Sequence, residues 1–331
     1  MKSEAKFTGD EGFVTVRDVS FAEISGDDME VSGVVKKKDR KNHLSHSMLA
    51  GLNETKPRIA IQAHVFNTEV LPELTEYVNK MSEAFDLFVS TDTKEKKKYI
   101  DGFLAKECKC RRFETSIFEN RGRDVAPFIL QMKDAIGRYE YICHIHSKKS
   151  VHTEGGEEWR NANLSALFDN SKLLLDYLDE NDKVGLVMPH HPESMNDFMI
   201  WMGSLNDTRA ILERVYRFLE IEGKIIPAEN GMSEGHFAGN LKTADSSSNR
   251  NSVSPVKLPA RPEFPAGNMF WARTSAVSPL FKCGISGEDF QKEYGQLSHT
   301  TAHAIERCWV YLVGLKGYES VRLPVSFNCK G

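Results

Sequence analysis

The 331-residue chain sets 43 Lys and Arg against 47 Asp and Glu, a formal net charge of −4, and is 40% hydrophobic and 27% charged. That composition supports a sizeable buried core and argues against a general nucleic-acid binder, which would be clearly basic. Six cysteines are too few for a disulfide scaffold and the lone C-x-C at Cys108 and Cys110 is not a zinc pattern. With no signal peptide and no apolar run of about 18 residues, a cytosolic chain with reduced thiols is expected.

In chain order, residues 1–56 form a polar, weakly patterned extension in which "GFVTVRDVSFAEI" can supply a strand or two. The basic runs Val35–Lys41 and Lys94–Lys98 read as linker or solvated surface, with a weak contact to an anionic membrane surface as the minority reading. Regular structure begins at "RIAIQAHVF", whose alternating Ile59, Ile61, Ala63 and Val65 predict a strand. Leu71, Leu74, Val78 and Met81 then share one helical face, and "FDLFVSTD" is a second strand, which makes a β-α-β unit with parallel strands. "FETSIFEN" predicts a third strand. "DVAPFILQMKDAIG" predicts a helix capped by Asp124, with Pro127 in its first turn, and "YEYICHIH" predicts a fourth strand. Beyond it come helical "NLSALFDNSKLLLDYLDEN" in one or two pieces, the short strand "KVGLVMP" and the helix "NDTRAILERVYRFLEI". Residues 229–263 read as a Gly-, Ser-, Asn- and Pro-rich loop insertion, and "HTTAHAIERCWVYLVGLKGY" as one late helix. The alternation predicts an open α/β sheet with helices on both faces.

Open α/β sheets bind ligands beyond the carboxyl ends of their strands. Those ends carry His64, Phe66 and Asn67, then Asp92, then Asn120, Arg121, Gly122, Arg123 and Asp124, and finally His144, His146, Lys148 and Lys149. Cationic donors grouped near a helix N-terminus favour a phosphorylated ligand. A phosphate-loop lysine motif and G-x-G-x-x-G are absent, and no G-x-S-x-G stands as an elbow between a predicted strand and helix, so simple ATPase, dinucleotide dehydrogenase and serine hydrolase readings lose their main support.

The order of "STD", "ENRGRDVAPFI", "YEYICHIHSKKS", "AGNMFWAR" and the acidic "GEDFQKEYGQ" resembles glycosyltransferases of the GT-A fold. More closely, "NRGRDVAPF", "YICHIHSKKS", "FPAGNMFWAR" and "GEDFQKEYGQLSHTTAHAIER" resemble the rhamnan synthesis F family of bacterial polysaccharide and lipopolysaccharide assembly. The resemblance implies one GT-A-like domain over 57–325, with a nucleotide-sugar half at 57–150 and an acceptor half at 151–325. It implies that Asp92 contacts the nucleotide base, while His64, Phe66, Asn67, Asn120, Arg121, Gly122, Arg123, Asp124, His144, His146 and Lys149 line the nucleotide-sugar site.

GT-A enzymes commonly end the fourth strand in a metal-binding Asp-x-Asp. Here His146 and Lys148 stand at those positions. A protonated lysine cannot hold a metal but can offset diphosphate charge, so no cofactor is expected and Lys148 takes the electrophilic role. The rival reading makes His144 and His146, which share a strand face, ligands of a divalent metal such as Mg or Mn, joined by His64 or His303. Glu293 or Asp289 is the expected general base, and Trp271, Asn268, Arg273 and His303 the acceptor-binding residues, with core packing open for Trp271. The implied partners are a nucleotide-diphosphate sugar carrying a deoxyhexose such as rhamnose, and a glycan or lipid-linked glycan acceptor. Peripheral contact with the inner membrane face or with other glycan-assembly enzymes is also implied. A non-catalytic glycan- or partner-binding domain and a histidine-based metal-dependent hydrolase are the competing classes.

Overall fold

The structure, a computed structural model, describes residues 14–25, 57–147, 156–223, 256–296 and 298–325. The basic run Val35–Lys41, residues Lys148 to Ser150 and most of the 229–263 insertion lie outside the described residues.

Eight strands form one sheet: β1 (Val16–Asp18), β2 (Ile59–His64), β3 (Phe85–Thr91), β4 (Arg112–Ile117), β5 (Tyr141–His146), β6 (Val184–Pro189), β7 (Phe270–Arg273) and β8 (Glu319–Leu323). Their order is β1-β8-β6-β7-β5-β2-β3-β4. Every pairing is parallel except those of β7, which runs antiparallel to both β5 and β6. This is the open, mostly parallel, GT-A-like α/β sheet that the sequence predicts.

Ten helices cover it: α1 (Phe21–Ser25), α2 (Leu71–Val78), α3 (Lys94–Glu107), α4 (Val125–Met132), α5 (Gly156–Phe168), α6 (Ser171–Glu180), α7 (Leu205–Ile221), α8 (Thr274–Lys282), α9 (Thr301–Glu306) and α10 (Trp309–Leu315), counted among the described residues. Strand alternation divides the core in two. Ile59, Ile61 and Ala63 of β2 and Tyr141, Cys143 and Ile145 of β5 pack with α2, α3, α5 and α6. Ala60 and Ile142 point the other way, onto α4, α7, α8, α9 and α10. Buried hydrophobic side chains therefore fix which face Gln62, His64, His144 and His146 share: the face of α4.

Two local features, the late helix and Asp124, differ from the sequence reading, and two others refine it. The basic run Lys94–Lys98 is the first turns of α3, capped by the Thr93 side chain, and Ile100 and Leu104 are that helix's buried anchors. Each such anchor contributes about 1.5–3 kcal/mol, enough to dock a helix whose charge hides it in the sequence. The late helix is two, α9 and α10, separated at Arg307, whose guanidinium folds back to donate to the His303 carbonyl at 2.9 Å. Asp124 stands at the α4 N-terminus without a capping hydrogen bond, because its carboxylate is used elsewhere. β1, from the N-terminal extension, is an edge strand of the main sheet, paired with β8.

Candidate functional site

From β2 the chain builds outward through β3 to β4, then returns through α4 to place β5 on the opposite side of β2. The connections leave in opposite directions there, so the carboxyl ends of β2 and β5 form the switch point at which open α/β sheets place their ligand crevice. Register sets Gln62 beside His144 and His64 beside His146, so three imidazoles line the α4 face at the crevice. The two strand ends are tied together beyond them. The Asn67 amide N–H donates to Ser147 Oγ at 2.9 Å, and Asn67 Nδ2 to the Ser147 carbonyl at 3.0 Å.

His144 is wholly buried and stacks on Phe128 of α4, ring centroids 4.2 Å apart and planes 10° from parallel. Its Nδ1 lies 2.7 Å from Gln62 Oε1 and its Nε2 3.3 Å from Asp124 Oδ2. Asp124 Oδ2 also accepts from Asn268 Nδ2 at 2.6 Å, and Asn268 Oδ1 accepts from Trp309 Nε1 at 2.8 Å. Burial opposes ionisation of Asp124. The His146 charge, the His144 hydrogen bond and charge, and the Asn268 hydrogen bond outweigh it and hold the carboxyl well below its usual range. His146 donates from Nε2 to the Gly267 carbonyl at 2.5 Å. His64 Nδ1 meets Ser90 Oγ at 3.0 Å. Desolvation, reinforced by the two neighbouring imidazoles and only partly opposed by Asp124, pushes His64 down to about 4, so it is neutral at physiological pH.

Two rims flank the crevice. On the β3 side, Asp92 pairs with Lys96 Nζ at 2.6 Å, and that ammonium lies 3.9 Å from the centroid of the part-exposed Phe66 ring. On the α4 side, the segment before α4 is clasped by the segment after α8. The Gly122 N–H donates to Gln291 O at 3.1 Å, Arg121 Nη1 to Phe290 O at 2.8 Å, and the Glu293 N–H to Asn120 O at 3.3 Å. Gly122 and Arg123 both take left-handed backbone, φ 65° and 55°, and Arg123 thereby turns toward Glu293 at 3.4 Å. Glu293 Oε1 is buried and has no hydrogen-bond partner among the described residues.

The structure thus brings together His64, Phe66, Asn67, Asp92, Asn120, Arg121, Gly122, Arg123, Asp124, His144, His146, Asn268 and Glu293 along one edge of the sheet. Lys148 and Lys149 lie outside the described residues. Asp289 is taken up by structure: its Oδ2 accepts from the Ser286 N–H at 2.7 Å and its Oδ1 lies 3.3 Å from Arg214 Nη1. Trp271 and Arg273 differ from the expected acceptor role because β7 is antiparallel, so its end faces the start of β5, with Arg273 opposite Tyr141. Trp271 is fully buried and donates to Leu167 O at 3.1 Å, and Arg273 donates to Val184 O at 3.1 Å and Tyr141 Oη at 3.0 Å. His303 is buried in α9 with Nδ1 2.7 Å from Thr300 Oγ1. Both His144 nitrogens are engaged, so neither is open to a metal in this arrangement. Among the described residues no three His, Cys, Asp or Glu side chains are grouped to hold one.

Gln62, Ser90, Gly267 and Trp309 are site neighbours that the strand-end reading passes over. Gln62 carries a visible signal, a polar amide in the otherwise apolar "IAIQA". Trp309 is 41 residues from Asn268 and gives none.

A family model described as "Rhamnan synthesis protein F" matches residues 29–230 and 255–318. Over 255 residues the chain is 25% identical to the uncharacterized protein WxcX of Xanthomonas campestris pv. campestris (strain B100), covering 76% of this chain and 30% of that protein. The same-named protein of a second strain is 24% identical over 255 residues, with the same coverage. The chain therefore spans about 30% of the length of the curated relatives it matches.

Proposed function

The chain belongs to the rhamnan synthesis protein F family, and from that membership and the crevice geometry we propose that it is a glycosyltransferase. It moves a sugar, a deoxyhexose such as rhamnose, from a nucleotide-diphosphate donor to a growing polysaccharide or lipid-linked glycan. The nucleoside lies along the Phe66–Asp92 rim and the diphosphate at the diverging ends of β2 and β5. His64, neutral with its Nδ1 facing Ser90, offers its other nitrogen as an uncharged donor. Lys148, which follows the strand end by two residues, and Arg123 offset the diphosphate charge, a role that needs no metal.

The observation that carries the reading is Glu293, a carboxylate beside Arg123 whose second oxygen is buried and has no hydrogen-bond partner among the described residues. It takes the proton of the acceptor hydroxyl. That oxygen then bonds to the anomeric carbon, and the bond from this carbon to the diphosphate oxygen breaks with its electrons leaving on the nucleotide diphosphate. Among the described residues no helix is long and apolar enough to cross a membrane, and contact with a lipid-linked acceptor is proposed to be peripheral.

The test is a panel of nucleotide sugars with glycan acceptors, with and without EDTA, following release of nucleotide diphosphate. Release that survives EDTA and is abolished by Lys148→Ala supports the proposal. Glycan binding without nucleotide binding would replace it with a non-catalytic role, and strict metal dependence would remove the lysine from its assigned part.

A further inference from the structure

We infer that His144 carries a proton on both ring nitrogens at neutral pH and is a positioning residue, the cationic link of a hydrogen-bonded chain that crosses beneath the crevice from β3 to α10. Both ends of this chain can act in one direction only, and that fixes every link between them.

At the β3 end stands the Val89 carbonyl, which can only accept. Gln131 Nε2 donates to it at 2.9 Å, so the Gln131 Oε1 atom is the acceptor that faces Gln62. Gln62 Nε2 donates to that oxygen at 3.1 Å and to Ser90 Oγ at 2.9 Å, which turns Gln62 Oε1 toward His144. Nδ1 of His144, 2.7 Å away, must therefore bear a hydrogen. At the other end the Trp309 indole N–H can only donate. It fixes Asn268 Oδ1 as acceptor and Asn268 Nδ2 as donor, so Asp124 Oδ2 accepts at 2.6 Å. The His144 Nε2–Asp124 Oδ2 contact then holds one proton. With Asn268 already donating to that oxygen and His146 adding positive potential at the carboxylate, the proton rests on nitrogen. The depressed proton affinity of Asp124 agrees with this. The other titratable groups around the pair are His64 on β2 and His146 on β5, and His64 is in turn under the influence of Asp92 after β3.

A buried ion pair is a poor source of stability, because desolvation offsets most of its attraction. Its use here is directional. Asp124 holds the Asn268 amide, and Asn268 and Gly267 are consecutive left-handed residues, φ 55° and 80°. That turn in turn presents the Gly267 carbonyl to His146. The pair thus fixes a His146 orientation at the crevice by joining β5, α4 and the turn before β7. The protonation state stands on the hydrogen-bond directions alone. The positioning role rests on the glycosyltransferase reading.

The experiment is nitrogen-detected histidine NMR on the full chain at pH 7. The His144 resonances are assigned through contacts to the Phe128 ring, which requires no variant. Two protonated ring nitrogens are expected in the wild-type protein, and loss of one proton in Asp124→Asn. A wild-type His144 with one bare ring nitrogen at pH 7 overturns the assignment, whatever the enzyme's activity. The positioning role is read by Trp309→Phe, which frees the Asn268 amide to turn over. The expected outcome is a fall in kcat of about tenfold with donor KM changed by less than about threefold. Unchanged kcat in a folded Trp309→Phe protein overturns that role.

Discussion

Alanine at Gly122 tests the clasp that sets Arg123 against Glu293. Gly122 has φ +65°, and a Cβ there would sit 2.5 Å from Ala126 Cβ and 2.6 Å from Phe290 Cδ1. Neither neighbour is a flexible chain end: Ala126 is in the first turn of α4, and Phe290 is 2% exposed in the core. Left-handed backbone costs an L-residue roughly 1–2 kcal/mol. Overpacking adds about 1–3 kcal/mol, so Gly122→Ala is expected to lose about 2–5 kcal/mol. The strain would also displace α4, whose Phe128 stacks on His144, so donor binding should weaken together with stability. Gly102 is the internal control, because it lies inside α3 with nothing within 4 Å of an added methyl. Its alanine should stabilise by about 0.5–1 kcal/mol. Urea unfolding followed by tryptophan fluorescence measures both. A Gly122→Ala protein as stable as the wild type would refute the packing and backbone reasoning together.

The pushed-down His64 makes stability depend on acid: its contribution is present in full above the unfolded-state value near 6.5 and lost as pH falls toward about 4. Between pH 7 and pH 5 the loss attributable to His64 is about 1–3 kcal/mol, and His64→Gln should flatten that part of the pH–stability curve. Arg273→Ala removes the guanidinium that donates to the carbonyls of Leu178, Asn181 and Val184. It should cost about 2–4 kcal/mol of stability while donor affinity, measured by calorimetry on the folded fraction, stays unchanged. Glu293→Gln should do the opposite, keeping stability within about 1 kcal/mol of wild type and abolishing sugar transfer. Deleting residues 1–25 uncovers the edge of β8 and removes the Asp18–Arg322 pair at 2.8 Å. A lower unfolding midpoint and increased self-association are expected, the latter read by light scattering.

What can be read from the sequence depends on how local each signal is. The alternation of Ile59, Ile61 and Ala63, and of Tyr141, Cys143 and Ile145, places β2 and β5 and so the crevice at their ends. The direction of β7 has no local signature, since it depends on which strands flank it. Trp271 and Arg273 therefore look like site residues when read forward from Asn268, and only the antiparallel pairing moves them to the far edge. Asp124 before "VAPF" carries the pattern of a helix cap, yet a partner 144 positions away, Asn268, takes its carboxylate. Asp289 looks equivalent to Glu293 as a loop acid, but Ser286 and Arg214 engage it. α3 is hidden by its own charge, because two buried side chains in 14 residues make a faint stripe.

Photo-crosslinking tests the proposed donor site most directly, using a nucleotide-diphosphate sugar that carries a reactive group, followed by mass-spectrometric mapping of the labelled peptides. Labelling is predicted on the peptides holding His64 to Asn67, Asp92, Arg123 and His144 to Ser147, competed away by free nucleotide diphosphate. Labelling confined to the opposite edge, around Arg58, Tyr141 and Arg273, or labelling that free nucleotide diphosphate does not displace, would contradict it.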